Sequence, residues 1–336
     1  MAKIRVAING FGRIGRITLR QLLRNPDISV VAINDLADTA TLAHLFKYDS
    51  VHGQFKGSVK VINGYLIVKG QKIKVFSSEL PGSIDWGALA IDVVIESTGK
   101  FVDKANSMKH IEAGARKVII SAPAIAEADD VKYIVMGINE HIISPDDVII
   151  SNASCTTNCV APMIKVIDDI WGVEKGFITT VHSYTRDQNL IDAPHSDWRR
   201  GRAAAYSIIP TTTGAAKAAT KIFPHLEHNL GGAGIRVPVP DGSLTDLTCT
   251  LRKSASIKAI NAAFRRAAKG ELKGILQYTE DPIVSIDIIG NTHSAVFDAG
   301  LTAVLGDKNK LVKIVAWYDN EMGFATRLAE LVMKFA

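Results

Sequence analysis

The run SNASCTTNC, residues 151–159, sets one cysteine among hydroxyls and amides. Cys155 follows an apolar stretch, VIISNAS, and opens a segment of helical period, TNCVAPMIKVIDDI. A thiol in the first turn of a helix meets unpaired N–H groups and the positive end of the dipole, which favour the nucleophilic thiolate. Cys159 stands one turn further on. C-x-x-x-C is not the spacing of thiol exchange and no ligand set at zinc spacing accompanies it, so no metal is expected and Cys159 reads as structural. Cys249, alternating with polar neighbours in DLTCTL, reads as a packed thiol.

A nucleophilic thiol needs a base. Among nine histidines, His182 is set apart by its company: it ends the strand-like ITTV, Thr185 and Asp187 follow in VHSYTRDQ, and the basic run WRRGR comes soon after. Spacing suggests the Cys155–His182 pairing and leaves the contact itself open. Arg199, Arg200 and Arg202 precede IIPTTTGAAKA, where Thr212, Thr213 and Gly214 offer hydroxyls and amides to a phosphate. Arg236 stands alone among apolar neighbours in GIRVP, the pattern of a pocket cation or of a partner for an aspartate.

A second chemistry sits at the start of the chain. Gly10, Gly12 and Gly15 form G-x-G-x-x-G directly after KIRVAI and at the opening of IGRITLRQLLRN. In that context the glycines allow a tight turn, close approach of a pyrophosphate, and tight helix–strand packing, while the helix N-terminus meets the anion. Asp35 ends the next strand-like run, ISVVAIND, about 20 residues past the last glycine, where a carboxylate accepts from both ribose hydroxyls and repels a 2′-phosphate. A dinucleotide is therefore expected, NAD rather than NADP.

The surrounding pattern predicts the scaffold. Strand, glycine turn, helix, strand recurs through IDVVIEST, ANSMKHIEAG and RKVIISAPA, the texture of a doubly wound parallel sheet of Rossmann type. FKGSVKVINGYLIVKGQKIKVFSS, with NG and KG turns, predicts antiparallel hairpins inserted on the far side of the sheet. Beyond about residue 172 longer alternating runs appear, GFITTVHSYT, GAGIRVPVP, SLTDLTCTLRK, IVSIDIIG and LVKIVAWYD, broken by SIKAINAAFRRAAKG and closed by GFATRLAELVMKF. They predict an α+β domain with a mixed or antiparallel sheet. The expected division is 1–152 for the dinucleotide domain and 153–320 for the catalytic, substrate-binding and oligomerisation domain, with the helix of 321–336 returning to the first.

Composition narrows the class. The 336 residues, 47% apolar and 22% charged, suit two globular domains. Three cysteines are too few for a disulfide framework and suit a reducing compartment. MAKIRVAINGFGRIG lacks the features of a secretory signal, and no apolar run reaches membrane-spanning length, so a cytoplasmic protein without membrane attachment is expected. The formal charge of +5 is spread thinly, which suits small anions and offers no nucleic-acid footprint.

Taken together, INGFGRIGR, AIND, KYDSVHG, ESTG, SNASCTTNC, TTVHSYT, PTTTGAAKA, GELKGILQYTE and WYDNE closely resemble the glyceraldehyde-3-phosphate dehydrogenase family, phosphorylating type, over essentially the whole chain. The resemblance implies a homotetramer of glycolysis and gluconeogenesis that takes D-glyceraldehyde 3-phosphate, inorganic phosphate and NAD. It implies that Cys155 attacks the aldehyde to give a hemithioacetal. His182 raises the thiol's nucleophilicity and takes the hydroxyl proton as hydride leaves, and phosphate resolves the resulting thioester. Asn9, Gly10, Gly12, Arg13, Ile14, Gly15, Asp35, Thr98, Ser121 and Asn320 are the implied cofactor positions. Thr185 and Arg236, backed by Asp187, match the grip on the substrate phosphate. Ser154, Thr156, Arg200, Thr213 and Gly214 match the site of the attacking phosphate. Ser78 and Glu79 stand where many relatives carry an arginine at the adenine end, and Asp241 and Gly242 replace an amide and a valine. The alternatives are relatives that oxidise erythrose 4-phosphate with water, NADP-using photosynthetic relatives, against which Asp35 and Pro194 argue, and a binding protein that has lost its chemistry.

Overall fold

The computed structural model describes residues 2–124 and 131–336. The chain forms two compact units, one of residues 1–134, 140–153 and 325–336, the other of 135–139 and 154–324. Residues 135–139, which the sequence pattern runs on with the first domain, group with the second because Met136 and Ile138 pack on its core.

In the first unit the strands are β1 (Ile4–Asn9), β2 (Ile28–Asn34), β3 (Val59–Ile62), β4 (Tyr65–Val68), β5 (Gln71–Phe76), β6 (Val93–Glu96), β7 (Lys117–Ile120), β8 (Lys132–Tyr133) and β9 (Ile149–Ser151). They form one sheet in the order β3-β4-β5-β2-β1-β6-β7-β9-β8. Pairing is parallel from β5 to β8 and antiparallel only in the β3–β4–β5 hairpins, which extend the sheet's edge. Val6 to Ile8, Val93 to Ile95 and Val118 to Ile120 are buried without a break, as strands covered on both faces must be. Helices α1 (Arg13–Leu22), α2 (Thr39–Lys47) and α3 (Lys104–Glu112) supply the crossovers. β2 and β6 flank β1 on opposite sides, so the strand order reverses there, and the carboxyl ends of β1 and β6 frame the crevice where such sheets take ligands. At the chain's end, Lys117 Nζ donates to the Phe335 carbonyl at 2.6 Å.

The second unit is built around α4 (Cys155–Trp171), whose Cys159, Val160, Met163, Ile164 and Ile167 are fully buried. Around it lie β10 (Val173–Ser183), β11 (Ile209–Thr211), α5 (Ala215–Ile222), β12 (Leu230–Val237), β13 (Ser243–Leu251), α6 (Ile257–Lys269), β14 (Leu276–Thr279), β15 (Ala295–Asp298), β16 (Ala303–Leu305) and β17 (Leu311–Tyr318). The sheet runs β11-β12-β10-β13-β17-β15-β14, with β16 beside β17. It is mixed: β10–β12 and β14–β15 pair parallel and the others antiparallel. A last helix, α7 (Met322–Phe335), starts in this unit and ends in the first.

One element departs from its pattern. IVSIDIIG alternates like a strand, yet Ser285–Ile288 is a single 3₁₀ turn. Asp287 accepts from the Val284 N–H at 2.8 Å, so a side chain captures the donor that a strand would have offered to a neighbour. Val284 and Ile286 are left exposed.

The Asp241–Gly242 pair has a local reason. Gly242 sits at φ +84°, and a Cβ there would stand 2.2 Å from the Ser285 carbonyl oxygen, so only glycine fits. Asp241 is buried, and that burial, with the Asp319 and Glu321 carboxylates next in weight, pushes it up to about 9. An acid whose pKa is raised on folding favours the fold fully below its unfolded pKa of about 4 and loses that contribution as pH rises through its folded value. Within that window its share of stability falls by up to about 1.4 kcal/mol per pH unit. Asp241→Asn keeps a donor for Asp319 and removes the titration. The variant's melting temperature should exceed the parent's at pH 8 by several degrees and match it closely at pH 5. Parallel melting curves at both pH values would show that Asp241 does not carry this dependence.

Candidate active site

The thiol centre is assembled within the second unit from the first residue of α4 and the ends of β10 and β12. The backbone turns sharply into α4 through Ala153 at φ +56°. Ser154 caps the helix, its Oγ accepting from the Thr157 N–H at 3.0 Å and sharing a 2.7 Å bond with Thr157 Oγ1. Cys155 thus stands at N1 with its Sγ 3.4 Å from His182 Nε2. The imidazole is buried and held edge-on against the Tyr318 ring, 6.0 Å between centroids. Tyr318 is itself pinned, its hydroxyl bonded to Thr156 Oγ1 at 2.8 Å and Thr180 Oγ1 at 2.9 Å.

Parallel register makes Arg236 of β12 the cross-strand neighbour of His182 in β10. Its Nη1 lies 2.5 Å from His182 Nδ1 and 3.0 Å from the Ser183 carbonyl, which is itself 2.7 Å from Nδ1. A guanidinium only donates, so Arg236 and an Nδ1–H compete for that carbonyl. In the tautomer whose Nδ1–H donates to the carbonyl, the lone pair of Nε2 faces the thiol. Burial, and then the charge of Arg236, push His182 down to about 3. Burial raises the Cys155 thiol, while Arg236 and the Thr156 hydroxyl and N–H oppose the rise. The pair therefore rests as thiol and neutral imidazole, one proton shift from thiolate and imidazolium.

The anion-binding candidates cluster in the segment after β10 and at α5. Thr185 Oγ1 donates to Asp187, Asp187 accepts from Arg200 Nη1 at 2.8 Å, and Arg200 Nε donates to Thr211 Oγ1 at 2.9 Å. Burial raises Asp187, and the Thr185 hydroxyl with Arg236 and Arg200 outweighs it, holding the carboxyl below its ordinary range. Gly214 begins α5 with no side-chain cap, nothing stands within 4 Å of where its Cβ would be, and Thr213 Oγ1 accepts from the Ala215 N–H at 3.2 Å. Ser154 and Thr156 flank Cys155 in sequence and carry local bonds, as the helix cap and with Tyr318. Asn320 is buried, with Oδ1 accepting from Ser183 Oγ at 3.0 Å and Ser243 Oγ at 2.6 Å, which turns its amide nitrogen the other way.

The glycine turn is formed within the first unit. Gly10 has φ +93°, and a Cβ there would meet the Ser97 carbonyl carbon and the Thr98 nitrogen, each at 2.6 Å. A Cβ on Gly15 would stand 2.2 Å from the Gly10 oxygen, so helix and turn touch there. Gly12, by contrast, faces open space and begins α1 without a side-chain cap. Backbone crowding behind and room in front is the shape a pyrophosphate needs. Asp35 is drawn to the same turn, accepting from the Phe11 N–H at 2.8 Å and the Ala37 N–H at 3.2 Å. These residues fit a dinucleotide. Arg13 follows at the first turn of α1 with its guanidinium on Asp49 at 2.6 Å, beside Ile14. Ser121 follows β7 and Thr98 follows β6, both just past carboxyl ends of strands.

Residues 4–104 match the family described as glyceraldehyde 3-phosphate dehydrogenase, NAD binding domain, and residues 154–320 match its C-terminal domain. The chain belongs to the glyceraldehyde-3-phosphate dehydrogenase family. It is 53% identical over 332 residues to glyceraldehyde-3-phosphate dehydrogenase 2 of Streptomyces avermitilis, with 98% of each chain covered. It is 51% identical over 334 residues to glyceraldehyde-3-phosphate dehydrogenase of Geobacillus stearothermophilus, covering 99% of this chain and 98% of that one. Glyceraldehyde-3-phosphate dehydrogenase 1 of Bacillus subtilis is 49% identical over 334 residues, with the same coverage.

Sequence reasoning passed over Tyr318 and Asp49, although WYDNE and KYDSVHG contain them. Their signal was a motif without a role. The hydroxyl of Tyr318 and the carboxylate of Asp49 acquire one only through partners far along the chain.

Proposed function

We propose that this enzyme oxidises D-glyceraldehyde 3-phosphate to 1,3-bisphosphoglycerate with NAD and inorganic phosphate, in glycolysis and gluconeogenesis. The observation that carries this reading is a thiol at the start of a helix, 3.4 Å from Nε2 of a buried histidine beside Arg236. Cys155 Sγ adds to the aldehyde carbon, forming a C–S bond, as its proton passes to His182 Nε2 and on to the carbonyl oxygen. An aldehyde has no leaving group, so the tetrahedral carbon advances only by losing its hydrogen with the bonding electrons. NAD, when bound, supplies the acceptor for that hydride. His182 Nε2 takes the hemithioacetal hydroxyl proton in the same step, leaving a thioester on Sγ. A phosphate oxygen then attacks the thioester carbon, the C–S bond breaks, and the thiolate leaves. The Cys155 N–H and a donor from His182 would steady the oxyanion.

Arg236 and Thr185, backed by Asp187, would bind the substrate phosphate. Arg200, Thr213, Gly214, Ser154 and Thr156 would surround the attacking phosphate. Gly10, Gly12, Gly15, Arg13, Ile14, Asn9, Thr98, Ser121 and Asp35 would line the cofactor, and Asn320 would hold its carboxamide. Residues 1–152 with the last helix would serve as the cofactor domain and 153–320 as the catalytic domain. A homotetramer is also proposed. Leu190, Ile191, Trp198, Tyr206 and Ile208 stand exposed on a single chain, Trp198 by 88%, and such an apolar run calls for a covering surface. Three free cysteines and the lack, among the described residues, of a helix long and apolar enough to cross a membrane support a cytoplasmic location.

The test is turnover of glyceraldehyde 3-phosphate and NAD, read as reduced-nicotinamide absorbance with and without inorganic phosphate. Sustained turnover should require phosphate, with only a stoichiometric burst without it. Equal sustained rates in both would overturn the second anion site and favour hydrolysis.

A further inference from the structure

A string of side chains ties together the carboxyl ends of the strands beneath the glycine turn. Asn34, ending β2, donates from Nδ2 to Asn9 Oδ1 at 2.7 Å and to the Ser78 carbonyl at 2.9 Å, and accepts at Oδ1 from the Ser78 N–H at 2.8 Å. Asn9, ending β1, donates from Nδ2 to Glu96 Oε2 at 2.5 Å, and Asn9 and Glu96 are register partners. The Glu96 side chain is wholly buried, and among the described residues its carboxylate hydrogen-bonds to Asn9, Thr98 and His110. Oε1 takes both the N–H (2.8 Å) and the hydroxyl (2.5 Å) of Thr98, and Oε2 takes Asn9 and His110 Nε2 at 3.2 Å. The direction of the last bond is settled by Trp86. Its Nε1–H, 3.0 Å from His110 Nδ1, can only donate, so Nδ1 accepts and Nε2 carries the proton. Ser97, between Glu96 and Thr98, closes on the turn itself, its N–H and hydroxyl bonding the Asn9 and Gly10 carbonyls at 2.7 to 3.1 Å.

We propose that Glu96 is a positioning residue for the cofactor: through Asn9 and Thr98 it locks the Asn9–Gly10 turn against the end of β6, so the cradle stands ready-made. The proposal rests on reading the glycine turn as an NAD site. Pre-organisation of this kind acts on affinity by sparing the cost of ordering the turn at binding. Glu96 touches no reacting atom and does not act on the thiol centre.

Glu96→Gln tests it, because an amide nitrogen then faces the N–H groups of Asn9 and His110, or, turned over, those of Thr98. NAD affinity should be measured by quenching of protein fluorescence on the purified full-length variant, with steady-state kinetics beside it. The expected result is a Kd and KM for NAD raised at least tenfold. The kcat at saturating NAD, and the rate of Cys155 alkylation by iodoacetamide without NAD, should stay within twofold of the parent. If Glu96→Gln does not yield folded protein, Glu96→Asp keeps the charge but draws the carboxylate back from Asn9 and Thr98 by one methylene, and should raise the Kd several-fold. NAD affinity unchanged in the folded variant overturns the proposal, as does an equal fall in kcat and alkylation rate, the mark of general disruption. A parent protein that binds no NAD overturns the underlying reading instead.

Discussion

Cys155→Ser loses aldehyde oxidation, by about 10⁴-fold or more, while NAD binding stays at the parental value. The hydroxyl occupies the same N1 position of α4 and the same place beside His182 Nε2, so the geometry is retained and only the atom changes. Oxygen at that position holds its proton far more tightly than sulfur, and its ester resists phosphate better than a thioester does. Both halves of the reaction therefore fail together. The measurement is a single-turnover assay at enzyme concentrations high enough to see one equivalent of reduced nicotinamide, together with an NAD titration. A burst of one equivalent from the serine variant would mean that the hydride step does not require Cys155.

His182→Asn is the second large effect, a loss of roughly 10² to 10⁴ in kcat at neutral pH. The amide can still donate toward the oxygen of the tetrahedral intermediate, so what is lost is the lone pair that receives protons. Burial and then the charge of Arg236 push His182 down to about 3, so the imidazole is neutral and has a lone pair to offer at neutral pH. Without the base, the reaction waits on spontaneous ionisation of a thiol that burial has raised. The variant's rate should therefore climb with pH well into the alkaline range, narrowing its deficit, while the parent's levels off earlier. A pH–rate profile of the two proteins decides it. Parallel profiles with a constant offset would assign His182 a packing role rather than proton transfer.

These two residues show how far a sequence can be read. SNASCTTNC announces a cysteine at a helix start because cap, hydroxyls and helical period are all local, and ITTVHS announces a strand with a histidine near its end for the same reason. That the two meet at 3.4 Å depends on α4 lying across the sheet, which no local pattern encodes. Arg236 is sharper still. Alone in GIRVP it reads as a pocket cation, with a partner for an aspartate as the alternative, and only the β10–β12 register, His182 opposite Arg236, sets it on the imidazole. IVSIDIIG failed because alternation reports which residues could face a core, whereas Asp287 recruited the Val284 N–H and the ladder never formed.

The sequence by itself determined the parallel α/β unit, the glycine turn, the helix that opens at Cys155 and, through its motifs, the family. These follow from short-range rules: period, caps, turn residues and backbone space. Only the tertiary structure decided which side chains share a proton or a charge: His182 between Cys155 and Arg236, Asp187 on Arg200, Asp241 beside Asp319, and Glu96 beneath the turn. Each is a contact between residues distant in sequence or across a loop, and all but Asp187 on Arg200 are made inside a medium of low polarity. There, burial and a neighbour's charge set the protonation state, and composition or spacing carries no record of either.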